Sequence, residues 1–314
     1  MKLQQITRYT APATTQPPSF SIATPARNAL SKLRRCVGSV RGQQGVLWEH
    51  LVQDAGSDDG TPAWLQQHAQ RDSGFKPVSA RDDGMYDGIN QAWDRASGDV
   101  YAWLNADEQY LPGTLGRVAA HFAAHPEVDV LFGDYIVADE EGRPVALRRE
   151  IPLRAVYVAN SFLNAQSCTL FFRRRLREAG LLQFDTRYRY AADKDLVLRL
   201  LAAGAVFRHI REYWSVFGVD GNNLSTHARM QTEAEQVRLV HGALRLKPLR
   251  QLALAGRRIE RLLRGAYRRD AIAYRFALDE TPRYVELQAH DLGGRYSLAD
   301  VKGRTSSVRS IQTL

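Results

Sequence analysis

The stretch Val46-Leu47-Trp48-Glu49-His50-Leu51-Val52 runs straight into Gln53-Asp54-Ala55-Gly56-Ser57-Asp58-Asp59-Gly60-Thr61, and Pro62 to Arg71 follows with helical spacing. An apolar run, a loop of turn formers and a helix with proline in its first turn read as strand, loop and helix. The same unit recurs on both sides. Upstream, Phe20 to Thr24 is a strand halted by Pro25, and a helical pattern runs from Asn28 through Leu33 to Val40. Downstream, Pro77-Val78-Ser79 leads into the acidic loop 81–88 and a helix from Ile89 to Ala96. Val100 to Leu104 is an apolar strand ending in Asn105-Ala106-Asp107-Glu108, then come a helix from Pro112 to Ala124 and a strand from Val128 to Phe132. Alternation at this spacing predicts an α/β fold, a parallel sheet with helices on both faces. Further along, residues 134–144 suggest a hairpin, Cys168 to Phe172 a strand and Ala191 to Ala203 a helix, while residues 1–19, rich in Thr, Pro and Gln, read as a flexible arm.

Composition narrows the class. A chain of 314 residues with 44% hydrophobic and 25% charged residues is long enough for a large core and too apolar for wholesale disorder. Two cysteines, Cys36 and Cys168, make no disulfide framework and no four-thiolate metal site, so a reducing compartment is expected. No apolar stretch has the length of a membrane span, and the polar start has no signal-peptide core, so a cytoplasmic chain is expected. The net charge of +9 is uneven. Of 43 basic and 34 acidic residues, 17 and 9 fall in residues 226–314, which describes a basic extension on a balanced body. Nucleic-acid enzymes more often carry their basic charge around the cleft, so that partner is disfavoured.

Ligands of open α/β sheets sit at the carboxyl ends of the strands. Three acidic clusters lie there: Asp54 with Asp58 and Asp59, Asp82 with Asp83 and Asp87, and Asp107 with Glu108. Gathered carboxylates suit Mg²⁺ or Mn²⁺, although Asp is also a common turn and cap residue. Chemical motifs of other kinds fail. There is no Gly-x-Gly-x-x-Gly and no P-loop, and His121 with His125 has no evident third metal ligand.

The ordered set Thr24-Pro25-x-x-Asn28, Asp54-x-Gly56-Ser57-x-Asp59-Gly60-Thr61, Asp82-x-Gly84-x-Tyr86-Asp87-x-x-Asn90, Leu104-Asn105-Ala106-Asp107 and Asp193-x-Asp195-Leu196 resembles the family 2 inverting glycosyltransferases of the GT-A fold over residues 20–225. The resemblance implies a mostly parallel sheet flanked by helices, with a nucleotide-sugar-binding half over 20–135 and an acceptor half over 136–225, to which the charge distribution adds a basic helical C-terminal extension over 226–314. It also implies a divalent cation, Mg²⁺ or Mn²⁺, and transfer of a hexose from a UDP- or dTDP-sugar to a hydroxyl of a glycan or lipid-linked acceptor in polysaccharide biosynthesis. Carried over residue by residue, Thr24 and Pro25 border the nucleotide base and Asp54 accepts a hydrogen bond from it. Asp82 lines the nucleotide pocket. Asn105 and Ala106 precede Asp107, the metal ligand, and Asp193 is the catalytic base, with Asp195 competing for that role. Gly221 to Ser225 matches a loop that closes over the substrates.

Departures from the family pattern are Arg27 in place of an aromatic, where a guanidinium can stack on the base instead, together with Ala55, Ala80-Arg81 and Asn105. They leave open a catalytically degenerate nucleotide-sugar-binding regulator. A sugar-phosphate nucleotidyltransferase is weaker still, lacking the N-terminal Gly-rich signature. Arg173-Arg174-Arg175 reads as a solvent-facing run or a phosphate contact.

Residues 245–269 carry nine basic residues and one acid. On a helical wheel Leu249, Leu252, Ile259, Leu262 and Leu263 share one face, and Arg250, Arg257, Arg258, Arg261, Arg264 and Arg268 lie opposite. Two readings stay open. Either this helix lies on an anionic membrane, making the protein peripheral on the inner face of the cell membrane, or it packs its leucine stripe on the body and exposes its arginines.

Overall fold

A computed structural model describes residues 16–219 and 228–296; the expected arm over 1–19 lies mostly outside the described residues, as does the loop Gly221 to Ser225. The strand–helix alternation appears in the predicted order: β1 (Phe20–Ala26), α1 (Leu30–Arg41), β2 (Trp48–Asp54), α2 (Thr61–Ala69), β3 (Val78–Ser79), α3 (Met85–Asp94) and β4 (Val100–Trp103). β1 pairs in parallel with β2 on one side and β4 on the other, and β2 pairs in parallel with β3. Both faces of these strands are covered, so they read as nearly unbroken apolar runs rather than alternating ones.

The second half is mixed. After β5 (Gln109–Tyr110) and α4 (Thr114–Ala124) come β6 (Val130–Ala138) and β7 (Pro144–Arg148), an antiparallel hairpin that carries the expected strand six residues further. Next come the short helix α5 (Ala155–Asn160), a 3-10 turn over Ser167–Thr169, β8 (Phe171–Arg173), α6 (Arg174–Glu178), α7 (Ala192–Ala202) and β9 (Phe207–Gly218). The expected strand from Cys168 starts late because Leu170 N–H bonds back to the Ser167 carbonyl and Ser215 Oγ donates to the Cys168 carbonyl. The nine-stranded sheet runs β3-β2-β1-β4-β8-β6-β9-β5, with β7 on β6. Its two faces hold separate cores. One packs α3 and α7 around Trp93, Trp103, Phe172 and Phe184, and the other packs α1 and α4 around Phe20, Phe122, Phe171 and Trp214.

The basic run after β4's partner β8 is structural. Arg173 donates to the carbonyls of Phe122, His125 and Val128, and Arg175 pairs with Asp129 at 2.6 Å, stapling β8 to the end of α4. His121 bonds Glu212.

Beyond β9 the chain forms α8 (Ala228–Val240), α9 (Lys247–Leu263) and an antiparallel hairpin, β10 (Asp270–Ala277) with β11 (Tyr284–Leu292). The hairpin shares a core with the main sheet. Tyr274, Phe276, Leu287 and Leu292 pack with Ile136, Ala138, Leu147 and Val216. It also lies hard against α1. A Cβ on Gly38 would stand 1.9 Å from the Asp279 carbonyl oxygen, and one on Gly42 would stand 1.7 Å from the Tyr284 hydroxyl. Two glycines four apart on α1 therefore make the groove that receives the hairpin. α9 does not pack its leucine stripe on the body: Arg257 and Arg261 are buried and the leucines face outward. Gly38→Ala is expected to destabilise the fold by about 1–3 kcal/mol through overpacking against backbone; urea unfolding that matches wild type would show that the close approach is not needed.

Candidate active site

One cleft of about 810 Å³ opens at the carboxyl ends of β1 and β4. Pro25 and Ala26 come from β1, Trp103 from β4, and Asn105, Ala106 and Asp107 from the loop after it. Asp82 and Gly84 to Tyr86 enter from the start of α3, Gln166 and Ser167 from the 3-10 turn, Arg189 and Tyr190 from the approach to α7, and Asp193 from the first turn of α7. Of the residues named from sequence, Pro25, Arg27, Asp82, Asn105, Ala106, Asp107 and Asp193 line this cleft together. They are far apart along the chain and meet because parallel strands deliver their following loops to the same edge.

Thr24 and Asp54 are not brought to the cleft surface. Both are wholly buried. Thr24 Oγ1 hydrogen-bonds His50 Nε2 at 2.8 Å, and burial pushes the His50 imidazole down to about 3, so it is neutral. Asp54 accepts from Ser79 Oγ at 2.6 Å, from the Ser57 N–H at 3.2 Å and from the Ser57 hydroxyl. Its carboxylate thus ties the end of β2 to the following loop and to β3. That loop is laced in turn to the loop after β1: Ser57 Oγ accepts from Asn28 N–H, Asn28 Oδ1 accepts from Asp58 N–H, and Asp59 accepts from Leu30 N–H at 2.9 Å. Asp59 therefore caps the start of α1 from a neighbouring loop, serving an orphan helix donor.

Asp59 also lines the cleft but is engaged by the Leu30 N–H and the Thr61 hydroxyl, and the other three cleft carboxylates differ in setting. Asp82 is half-buried, accepts from Gly84 N–H at 3.0 Å, and is raised above the usual carboxylate range by burial. Gly88 leaves room for it, since a Cβ there would stand 2.7 Å from Asp82 Oδ2. Asp193 is raised by burial, against the Lys194 N–H at 2.7 Å and a hydrogen bond from the Tyr86 hydroxyl. Asp195, the rival for its role, is buried elsewhere and spent on Arg199 and His241, each at 2.7 Å. Asp107 is half-exposed on the cleft wall. Beside it Glu108 is fully buried, accepts from Asn105 N–H at 2.7 Å and from the Ser167 hydroxyl, and is pushed up by burial and by its acidic neighbour.

Several cleft residues were not anticipated from sequence. Arg189 lies against Gly84, whose φ of 117° leaves no side chain in the way, and bonds the Asp83 carbonyl at 3.5 Å. The backbone of Arg189, Tyr190 and Ala191 is held by Glu233 of α8, which accepts all three N–H groups at 2.7–3.2 Å. Nothing local in Arg187-Tyr188-Arg189-Tyr190 signals a site; only the fold brings it to the cleft.

The sequence profile of Glycosyl transferase family 2 matches residues 21–181. The chain belongs to glycosyl transferase family 2. It is 31% identical over 208 residues to the O-antigen biosynthesis protein RfbC of Myxococcus xanthus, covering 62% of this chain and only 15% of that one. A PGL/p-HBAD biosynthesis glycosyltransferase of Mycobacterium bovis is 30% identical over 195 residues, covering 60% of this chain and 72% of the relative. Among solved structures, S. aureus TarS 1–349 in complex with UDP-GlcNAc superposes with a TM-score of 0.57 at 15% identity, covering 78% of this chain and 73% of that one. Mannosyltransferase PcManGT from Pyrobaculum calidifontis, in complex with GDP-Man and Mn2+, gives 0.55 at 17% identity, covering 78% and 71%. At such identities the likeness is one of fold, and the transferase fold here is GT-A.

Because Asp54 is a buried tie, Asp54→Ala is expected to cost about 1–3 kcal/mol by leaving Ser57 and Ser79 without their acceptor. Denaturant melts unchanged by the substitution, with weakened nucleotide binding alone, would instead place Asp54 on the ligand.

Proposed function

We propose that this cleft transfers a hexose, with inversion at the anomeric carbon, from a nucleotide-diphosphate donor to a hydroxyl of a glycan or lipid-linked acceptor. The observation that carries the reading is the meeting of Asp82, Asp107 and Asp193 in one cleft with the cations Arg27 and Arg189. In the transfer, the acceptor oxygen forms a bond to the anomeric carbon as the bond to the diphosphate breaks. The acceptor proton passes to Asp193, and the nucleoside diphosphate leaves with the electron pair. A carboxylate raised by burial suits this task, because a proton acceptor works best when its pKa approaches the working pH.

The donor end lies toward β1. Pro25 and Arg27 flank the place for a base, with the guanidinium free to stack on a planar ring. We assign uridine or thymidine diphosphate there, with Asp82 toward the sugar-nucleotide. A divalent cation fits beside Asp107. Asn105 Oδ1 is a buried oxygen with no hydrogen-bond partner among the described residues, next to a half-exposed carboxylate. No group of three His, Cys, Asp or Glu side chains among the described residues is arranged to hold a metal. A site with one carboxylate and an amide oxygen suits Mg²⁺ or Mn²⁺ shared with donor phosphates and water. The cation supplies charge neutralisation on the departing diphosphate.

The names of the Myxococcus and mycobacterial relatives, an O-antigen biosynthesis protein and a PGL/p-HBAD biosynthesis glycosyltransferase, support a role in polysaccharide or glycan biosynthesis. A binding-only regulator is favoured by the departures Arg27, Ala55 and Asn105, the last standing where a carboxylate would add charge. Turnover decides between them: donor-dependent product on any acceptor excludes the regulator.

Asp193→Asn is expected to lower kcat by about 10²–10⁴-fold, the usual worth of general base catalysis, with the fold intact by circular dichroism. Activity near wild type would remove Asp193 from the mechanism. Since the base acts ionised and its pKa is raised, kcat/KM should fall with acidification starting above the ordinary aspartate range; a profile flat to about pH 4 would contradict the assignment. Asp107→Ala should abolish the extra thermal stabilisation that Mn²⁺ gives in the presence of UDP. A retained Mn²⁺-dependent shift would move the cation elsewhere.

A further inference from the structure

α9 is turned inside out relative to an ordinary surface helix. The side toward the body carries Arg250, Arg257 and Arg261, and the side toward solvent carries the apolar residues. Leu252 is 69% exposed, Ile259 57%, Leu262 66% and Leu263 80%. At about 100° per residue these four lie opposite Arg257.

The inversion has a local cause. Arg261 meets the buried carboxylate of Glu150 at 2.7 Å and the Arg149 carbonyl at 3.2 Å. Arg257 stacks over the Phe162 ring at 3.7 Å and donates to Ser161 Oγ at 2.6 Å, and burial lowers its pKa to about 10. Arg250 reaches the Asn160 carbonyl. Carboxylate, carbonyls and a ring face hold the guanidinium side, so among the described residues the leucine side has nothing beneath it.

We propose that the outward face of α9 docks this protein on an anionic lipid surface. Charge singles out that occupant. Lys247 and Arg258 flank one margin of the apolar face and are exposed, as are Arg245 and Arg268 beyond the two ends of the helix. A second copy packed face to face would bring these cations against their equivalents. The acid of the helix, Glu260, is already held by Arg154 and Arg264. Leucines inserted among acyl chains with cations at the headgroups satisfy both halves of the helix.

The docking helix is tied to the helix that carries the proposed base. Ser161, gripped by Arg257, accepts at its carbonyl from Lys194 Nζ at 3.0 Å, and Lys194 follows the proposed base Asp193. One residue thus joins the membrane-facing helix to the helix that carries the base. This last link rests on the transferase reading; the docking itself does not.

The test is flotation of the full chain with vesicles of phosphatidylcholine alone and of phosphatidylcholine mixed equally with phosphatidylglycerol. Binding is expected on the mixed vesicles, weaker on the neutral ones and weakened by salt. Leu252→Glu, Ile259→Glu and Leu263→Glu together should reduce it roughly tenfold or more, and Lys247→Gln with Arg258→Gln roughly fivefold per cation. Stabilisation by UDP should be unchanged in both variants, which separates lost docking from a lost fold or a lost donor site. No binding of wild type to the mixed vesicles overturns the proposal, and so does either variant binding as wild type. Light scattering that shows a wild-type dimer dissolved by the leucine variant, with no vesicle binding, assigns the face to a second copy and overturns it as well.

Discussion

Everything functional here depends on β1 being hydrogen-bonded in parallel on both sides. Its registers with β2 and β4 put Ala26, Asp54 and Trp103 at one edge of the sheet, so three loops from distant parts of the chain leave together. A parallel ladder can only be built by returning each chain through a helix, and those helices cover both faces and keep the edge free for the loops. The cleft is the space left between them. The antiparallel strands β8 and β6 complete the wall by bringing the 3-10 turn and α7 alongside.

The acidic residues at that edge divide by the donors packed against them. Asp54 and Asp59 are consumed by hydroxyls and backbone donors and keep the loops in place, and Asp195 is consumed by Arg199 and His241. Asp82, Asp107 and Asp193 line the cleft. The division has electrostatic sense. Several ionised carboxylates in one cleft repel one another, so tying some to donors behind the wall leaves fewer to be balanced by Arg27, Arg189 and a cation. The same logic in reverse governs α9, where arginines find their partners inward and the apolar residues are displaced to the outside.

The hairpin of β10 and β11 and the helices before it extend the transferase body rather than hang from it. Gly38 and Gly42 open α1 to the hairpin, and Glu233 of α8 clamps the backbone that leads into α7. Residues past 226 therefore bear on the position of the cleft wall, although the described ones hold no cleft carboxylate of their own.

Local pattern was enough for the strand–loop–helix units through β6, because periodicity and turn chemistry act over a few residues. Together with the family resemblance it also pointed to Asp82, Asp107 and Asp193 at strand and helix ends, which line the cleft. β9 escaped it: Phe207-Arg208-His209-Ile210-Arg211-Glu212 alternates poorly, and its strand state comes from pairing with β6 over nearly its whole length. The burial of Thr24 and Asp54, the arrival of Arg189 and the outward turn of the α9 leucines were likewise decided by tertiary structure. A sequence displays which side chains are charged or apolar, but whether a charge is consumed or left available depends on the partner packed against it. Here those partners, Ser79 for Asp54, His241 for Asp195 and Glu150 for Arg261, come from distant segments that only folding brings into contact.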